Sequence, residues 1–276
     1  MPLDSGLQEM FMQPILSVFA SATRRSLLAA AFAAATYAGA ATSAHAEFDA
    51  GQKAEIQTII KDYLIKNPDV LRDALIALQN HTKTTEAAQR AKAVADLAPR
   101  LLHSRYQVVL GNPKGTIQLV EFFDYNCGYC KRAVSDMEKL ISNNPDLRVV
   151  LKEFPVLGPP SREAAIVASA LHMQFDGKKY WDFHRRLMNT RGRIGKAQAL
   201  AAAKASGADM AKLDTDMKAA DISAGLQEVS EIADTLNMTG TPSYVLGPDV
   251  VVGAVGADRL QSRINNLRKC GKSTCS

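Results

Sequence analysis

Two cysteines three positions apart, Cys127 and Cys130, sit in the stretch "VEFFDYNCGYCKRAV" directly after an apolar run. Such a pair can clip a metal, close a small structural disulfide, or act as a reactive dithiol. A zinc knuckle needs a second pair or histidines at matching spacing. Cys270 and Cys275 are five apart at the far end of the chain, and His81, His103, His172 and His184 show no ligand spacing. A disulfide across two residues closes so small a ring that little loop entropy is gained. The reactive reading explains more. A pair that leaves a buried strand and opens a helix places its first sulfur among unpaired backbone N–H groups, where negative charge is favoured. Cys127 is then the nucleophile, with a lowered pKa and an exposed sulfur, helped by the neighbouring charges of Lys131 and Arg132. Cys130, one turn further in, is shielded and acts as the resolving thiol.

Two further landmarks belong to the same chemistry. In "IQLVEFF", Ile117, Leu119 and Phe123 share a face with Glu121, while Val120 and Phe122 line the other. A strand apolar on both faces is a central one, so a carboxylate there is out of place. Burial would raise its pKa and make Glu121 a proton acceptor for Cys130; a glutamate reaching solvent from the strand's end remains the alternative. Thr241-Pro242, in "NMTGTPSYVL", sits where the chain leaves a helix and enters a strand. An ordinary proline there marks an edge or turn, whereas a cis bond would turn the Thr241 backbone toward the sulfurs to receive an extended chain.

The elements that must position these residues follow from pattern. "YQVVLG" reads as a strand, "TIQLVEFF" as a buried strand, a helix runs from the cysteines to about Ile141, and "LRVVLKEFPV" is the next strand. Strand, helix, strand is a parallel βαβ unit. Residues from about 161 to 236 turn helical; Trp181 and Phe183 in "YWDFHRRL" are core candidates and Met173, Met188, Met210, Met217 and Met238 are packing residues. "TPSYVLG" and "DVVVGAVG" form a hairpin, and "ADRLQSRINNLRK" closes with a helix. Ahead of this domain, Ile56, Ile59, Ile60, Tyr63 and Leu64 recur at helical spacing, and Asn67-Pro68 restarts the chain into Val70, Leu71, Ala74, Leu75 and Leu78. Two such short helices cannot bury their stripes alone and call for another copy of themselves or the main domain. The predicted organisation is a signal peptide over 1–46, a helical oligomerisation segment over 47–80, a polar helical linker over 81–105 that Pro99 ends or kinks, and the α/β domain over 106–276.

Composition narrows the class. The chain has 276 residues and a net charge of +5, spread along its length, which speaks for solubility and against nucleic-acid binding. Arg24-Arg25, the short apolar stretch Leu27–Ala35 and Ala44-His45-Ala46 describe a secretory signal, by the Sec route more than Tat, with Met10 or Met12 as candidate starts. All four cysteines follow it, so the mature chain, residues 47–276, belongs in an oxidising compartment, the periplasm of a Gram-negative cell. There, thiols tend to pair, and Cys270–Cys275 reads as a local structural disulfide pinning the tail rather than a second relay.

Glu121-Phe122-Phe123, Cys127-Gly128-Tyr129-Cys130, the helical block and Thr241-Pro242 together resemble the DsbA family of thioredoxin-fold thiol–disulfide oxidoreductases, over about Val108 to Lys269. Within it, "IIKDYLIKNPDVLRDALIALQ" is similar to the N-terminal segment of the ScsC (suppressor of copper sensitivity) group, whose known members are trimers. The resemblance implies a redox-active Cys127–Cys130 pair, a cis-proline loop at Thr241-Pro242 that binds substrate beside Tyr129, no cofactor, misoxidised or unfolded exported proteins as clients, and a membrane redox partner that recycles the disulfide. Gly-Tyr between the cysteines departs from the Pro-His of the strongly oxidising members and removes a positive partner for the thiolate. Gly-Tyr and the threonine before proline resemble the disulfide isomerases DsbC and DsbG, so isomerase or reductase is favoured over DsbA-like dithiol oxidase. A Cu(I) ion held by Cys127 and Cys130 is the alternative of another class, since two soft thiolates suit that ion.

Overall fold

The structure is a computed structural model that describes residues 48–275. The signal peptide expected over residues 1–46 and its candidate starts lie outside the described residues. Among the described residues, no helix is long and apolar enough to cross a membrane. The chain divides into two compact units, one ending at Leu71 and the other starting at Arg72.

In the first unit, helix α1 (Ala50–Lys66) starts at a capping box. Asp49 accepts from the Gln52 N–H at 2.8 Å, and the Gln52 side chain accepts from the Asp49 N–H at 3.0 Å. Asn67 ends it, its backbone and side-chain N–H groups both donating to the Tyr63 carbonyl. No residue of α1 is buried; Ile56, Ile59, Ile60, Tyr63 and Ile65 are all exposed. Pro68 then opens helix α2 (Pro68–Asp96), which begins in the first unit and ends in the second.

Helix α2 runs 29 residues without a break at position 80, so the oligomerisation segment and the linker expected on either side share one helix. Pro99 lies just past its end at Asp96 and does not kink it. Instead the proline lies in the first turn of a short helix α3 (Ala98–Leu102), where its missing N–H costs nothing. Nor is the stretch to residue 105 all polar linker. Val94, Leu97 and Leu101 are buried against Val120, Phe122, Val150 and Phe154, so the packed domain begins before Tyr106. Three apolar residues at helical spacing in an otherwise polar sequence are enough to dock it, each buried side chain contributing about 1.5–3 kcal/mol.

The second unit is built on a five-stranded sheet of order β1-β3-β2-β4-β5, with β1 Val108–Gly111, β2 Ile117–Phe123, β3 Leu147–Glu153, β4 Ser243–Leu246 and β5 Asp249–Val252. Strands β2 and β3 are parallel, joined through α4 (Gly128–Asn143); the other pairs are antiparallel. Five helices then leave the sheet: α5 (Pro159–Leu171), α6 (Gly177–Met188), α7 (Lys196–Ala205), α8 (Met210–Asp216) and α9 (Ala220–Thr235). The β4–β5 hairpin and α10 (Ala257–Cys270) close the chain. This is the thioredoxin fold with a helical insertion.

Strand β2 is central, and its alternation splits the core in two. Leu119 and Phe123 join a cluster with Met137, Val167 and Phe183, while Val120 and Phe122 join the cluster that holds α3. Phe183 is fully buried and Trp181 packs half-buried at the edge of the first cluster, stacked on His184 with ring centroids 5.1 Å apart. On the other face Lys152 of β3 is wholly buried. Its ammonium donates to the Arg100 carbonyl at 2.7 Å, and Arg148 donates to the Leu102 carbonyl at 2.8 Å, so two strand cations satisfy the last carbonyls of α3. Gly177 lets α6 start against the edge strand, since a Cβ there would lie 2.3 Å from the Val109 carbonyl oxygen.

Candidate active site

The parallel pair β2–β3 points its C-terminal ends at one edge of the sheet, and the chain leaving β2 turns there into α4. Asp124 shapes that turn. One of its carboxylate oxygens accepts from the Asn126 N–H and the Ser161 hydroxyl, and the other from the Leu157 N–H, all within 2.9 Å. Asn126 does the same for the next residue. Its side-chain carbonyl accepts from the Ile194 N–H at 2.7 Å, and its amide donates to the Ile194 carbonyl at 2.8 Å and to Ser161 at 3.0 Å. Tyr125 is anchored inward, its phenol donating to Glu153 at 3.1 Å beside Tyr180, which donates to the same oxygen at 2.8 Å. Burial pushes Glu153 up to about 8 and His184, packed against Tyr125, down to about 3. The turn is therefore rigid before the first sulfur is reached.

Cys127 is the N-cap of α4, in extended conformation and without a side-chain capping bond. Its Sγ lies 3.1 Å from the carbonyl oxygen of Thr241. The Thr241–Pro242 peptide is cis. The Cys127 thiol is lowered to about 5, first because the Cys130 thiol donates to it, and further by the Thr241 side chain and the N–H groups of Cys130 and Tyr129; burial works against them. Cys130 moves the opposite way: donating to Cys127 and losing solvent both raise it well above an ordinary thiol. One of the two sulfurs thus holds its proton while the other gives it up.

Glu121 lies below the pair, 5% exposed, and is pushed up to about 8 by burial and by the charges of Asp136 and Cys127; a hydrogen bond with Tyr244 draws it back. Tyr244 is its antiparallel neighbour on β4, also buried, and its phenol is raised by burial and by the Glu121 and Cys130 charges. The solvent-reaching alternative for Glu121 does not hold. Tyr129 is the outermost member of the motif, 60% exposed.

Two expectations need correction. Cys127 keeps only 7% of its surface, because the loop carrying Thr241 closes over its sulfur. Lys131 and Arg132 do not serve the sulfur. The Lys131 ammonium donates to the Thr190 carbonyl at 2.8 Å, and the Arg132 guanidinium lies over the Tyr129 ring, 4.4 Å from its centre. The acidity comes from hydrogen bonds rather than from neighbouring side-chain charge. Cys270 and Cys275 are bonded to each other, far along the chain from this site.

Tyr244, Asn126 and the Thr190–Ile194 loop had no signal in the sequence. Tyr244 reads as one aromatic among strand residues, and Asn126 reads as a turn former; only register and chain crossing bring them to the motif. Among the described residues, no group of three or more His, Cys, Asp or Glu side chains could hold a metal ion.

Residues 118–265, which include Glu121, both cysteines and Thr241-Pro242, match the family of the DSBA-like thioredoxin domain. Residues 52–83 match the Copper resistance protein ScsC N-terminal domain. Among solved structures, the chain is similar to a thioredoxin-like oxidoreductase from Silicibacter pomeroyi DSS-3, with 37% identity, 62% of this chain and 98% of that one covered, and a TM-score of 0.59. It is also similar to Proteus mirabilis ScsC in a transitional conformation, with 30% identity, coverage of 81% and 99%, and a TM-score of 0.59. Among curated proteins, it is 25% identical over 138 residues to the thiol:disulfide interchange protein DsbA of Bordetella pertussis, covering 48% of this chain and 64% of that one. It is 21% identical over 185 residues to the Na(+)/H(+) antiporter NhaA 1 of Salinispora arenicola, covering 65% of this chain and 28% of that longer protein.

Proposed function

The chain belongs to the DSBA-like thioredoxin family, in its ScsC-like group, and from that premise we propose that it exchanges thiols and disulfides on exported proteins, as a disulfide isomerase before a reductase or oxidase. The observation that carries the reading is the opposed acidity of two neighbouring sulfurs over a buried carboxyl. The Cys127 thiolate attacks one sulfur of a client disulfide; the client's other sulfur leaves as a thiolate and takes a proton, and a mixed disulfide remains. For net reduction, Cys130 gives its proton to Glu121 and attacks the Cys127 sulfur. The client then leaves with two added electrons, and Cys127–Cys130 becomes the disulfide. For isomerisation, a second client thiol attacks the mixed disulfide instead and restores the Cys127 thiolate with no net electron transfer. Thr241 and Pro242, beside the sulfur, and Tyr129, at its rim, are the proposed client contacts.

The lowered Cys127 thiol supports this direction. Stabilising it stabilises the reduced protein, and family thiols range from about 7 in the reducing thioredoxin to about 3.5 in the oxidising DsbA. A Cys127 thiol at about 5 falls between them. That intermediate poise suits shuffling, in which the nucleophile must attack a disulfide and also be released. The mature chain is proposed to be periplasmic, to be recycled by a membrane redox partner, and to assemble as a homo-oligomer, a trimer, through the exposed apolar faces of residues 56–78. Copper fits less well. A Cu(I) ion bridging Cys127 and Cys130 must first remove the proton that Cys130 holds tightly.

Refolding of a scrambled-disulfide substrate tests this. The mature chain is expected to restore native pairing, and Cys130→Ser to accumulate mixed disulfides through Cys127. A chain starting at Thr84 keeps Val94 and Leu97 in the core, and is expected to retain dithiol exchange while losing isomerase activity. Equal isomerase activity in both would remove the oligomer from the mechanism. Absence of mixed disulfides in Cys130→Ser would remove the enzymatic reading.

A further inference from the structure

The loop between α6 and α7 is tied to the cysteine motif at two points. Ile194 is held by both polar groups of the Asn126 side chain, and the Thr190 carbonyl receives the Lys131 ammonium. The stretch between those ties is Arg191-Gly192-Arg193. Gly192 takes φ +77°, a left-handed turn, and both arginines are exposed. The Arg193 guanidinium reaches to within 3.9 Å of where a Cβ on Gly158 would be, beside the exposed side chains of Val156 and Leu157. On the other side of the motif, Arg132 lies over the exposed Tyr129 ring.

The three arginines are unusual in what they lack. Among the described residues, no ion pair or hydrogen bond includes the guanidinium group of Arg132, Arg191 or Arg193. Of the acids around them, Glu138 and Asp182 pair with Arg185 and Glu163 accepts from the Lys196 N–H, while Asp136, one turn on from Arg132, is in no ion pair among the described residues and leaves Arg191 and Arg193 as the main cations of the surface. A run of surface charge usually faces only solvent. Here hydrogen bonds tie the loop that carries two of them to the cysteine motif, and the three alternate with apolar surface from Tyr129, Val156 and Leu157. Guanidinium groups in such a setting suit carboxylates, which they bind through paired N–H donors.

We propose that the Arg191–Arg193 loop, with Arg132, is the specificity surface of this site and selects client cysteines flanked by acidic residues. The inference rests on the thiol–disulfide reading above and adds the class of segment that reaches Cys127. Positive charge at the rim also stabilises the client thiolate that leaves when the mixed disulfide forms, so it acts on the rate as well as on encounter.

Two fluorogenic disulfide peptides, identical except for aspartates or lysines beside the cysteine, distinguish the outcomes with the mature chain. At low salt the acidic peptide is expected to exchange roughly tenfold faster in kcat/KM. The preference should vanish near 0.5 M salt, where the screening length is about 4 Å. In Arg191→Glu/Arg193→Glu the ratio should invert in favour of the basic peptide. A ratio near one at low salt, or a ratio unmoved by the charge reversal, overturns the inference while leaving the redox reading intact. Exchange of neither peptide overturns both. A vesicle arm covers the other acidic partner. Sedimentation with phosphatidylglycerol but not phosphatidylcholine vesicles, lost in the reversal variant and joined to equal peptide rates, would assign the arginines to a lipid surface and overturn the client reading.

Discussion

The molecule carries two cysteine pairs at opposite ends of helices. Cys127 precedes the first turn of α4, where backbone N–H groups point at its sulfur, and its thiol is lowered to about 5. Cys270 is the last residue of α10, where the free groups are carbonyls. Its sulfur lies 3.5 Å from the Lys272 carbonyl oxygen, and that of Cys275 lies 3.5 Å from the Asn266 carbonyl oxygen. The tail is also tied down without the disulfide: Ser273 is buried, its hydroxyl accepting from Arg263 and its carbonyl from Asn266. The pair at a helix start sets one lowered thiol beside one raised thiol, whereas the pair at a helix end is closed as a disulfide.

The largest effect that would break this contrast is the loss of one sulfur. Cys127→Ser is expected to reduce exchange on a model disulfide by roughly a thousandfold or more, as removal of a nucleophile does elsewhere. Cys270→Ser/Cys275→Ser is expected to leave the rate within about twofold, because no part of the proposed mechanism passes through the tail. A comparable loss in the tail variant would make the second pair a relay.

Removing the buried acid sharpens the comparison, since the tail has no counterpart to Glu121. Glu121→Gln is expected to slow resolution of the mixed disulfide by roughly ten- to a hundredfold and to abolish any limb of the pH–rate profile near 8. Stability gives an independent reading. The folded-state pKa of Glu121 is raised, so its contribution is fully present below its ordinary value of 4.5 and is lost as pH rises through about 8. Glu121→Gln should therefore match the native chain near pH 4 and melt above it at pH 9. Cys127 has the reverse sign. Its folded pKa is depressed, so its contribution to the reduced protein is present above the unfolded value near 9 and is lost as pH falls through about 5. Reduced and oxidised chains are expected to diverge in melting temperature across that window, with the reduced chain gaining as pH rises. Parallel curves would refute the ionised sulfur.

The fold and the two sulfurs were legible because each rests on local pattern. A strand apolar on both faces, a C-x-x-C opening a helix, and Thr-Pro ahead of a strand are signals contained within about ten residues. Glu121 was legible for the same reason, as the one charge in a buried alternation. What the pattern did not carry depends on residues distant in the chain. That Cys127 is covered follows from Thr241, and that α2 reaches the core follows from where Val94, Leu97 and Leu101 meet Phe122. Lys131 and Arg132 show the limit most clearly. Adjacency in sequence put their charges beside the sulfur, while Thr190 and Tyr129 drew them away.

The tail disulfide is expected to contribute modestly to stability. Closing a loop with a separation of 5 residues constrains the unfolded chain by about 2 kcal/mol at most. The hydrogen bonds to Ser273 hold part of the same geometry, so Cys270→Ser/Cys275→Ser should lower the melting temperature by only about 2–4 °C. Collapse of the fold in that variant would show that the tail fastens more than itself.

The smallest expected effect decides where the acidity of Cys127 comes from. If charge beside the motif stabilised the thiolate, Lys131→Met would raise the Cys127 pKa by about half a unit or more, each unit being about 1.4 kcal/mol. With the ammonium bonded to Thr190 and its own pKa lowered by burial, the substitution is expected to move the sulfur by less than about 0.3 units. Thiolate absorbance followed against pH in the reduced variant measures this directly. Asn126→Ala is the companion change. It frees Ile194 and the turn that aims Cys127 at its donors, so here the thiol should titrate higher although no charge is removed. A shift in Lys131→Met larger than in Asn126→Ala would return the acidity to side-chain charge and undo the distinction between the two helix ends.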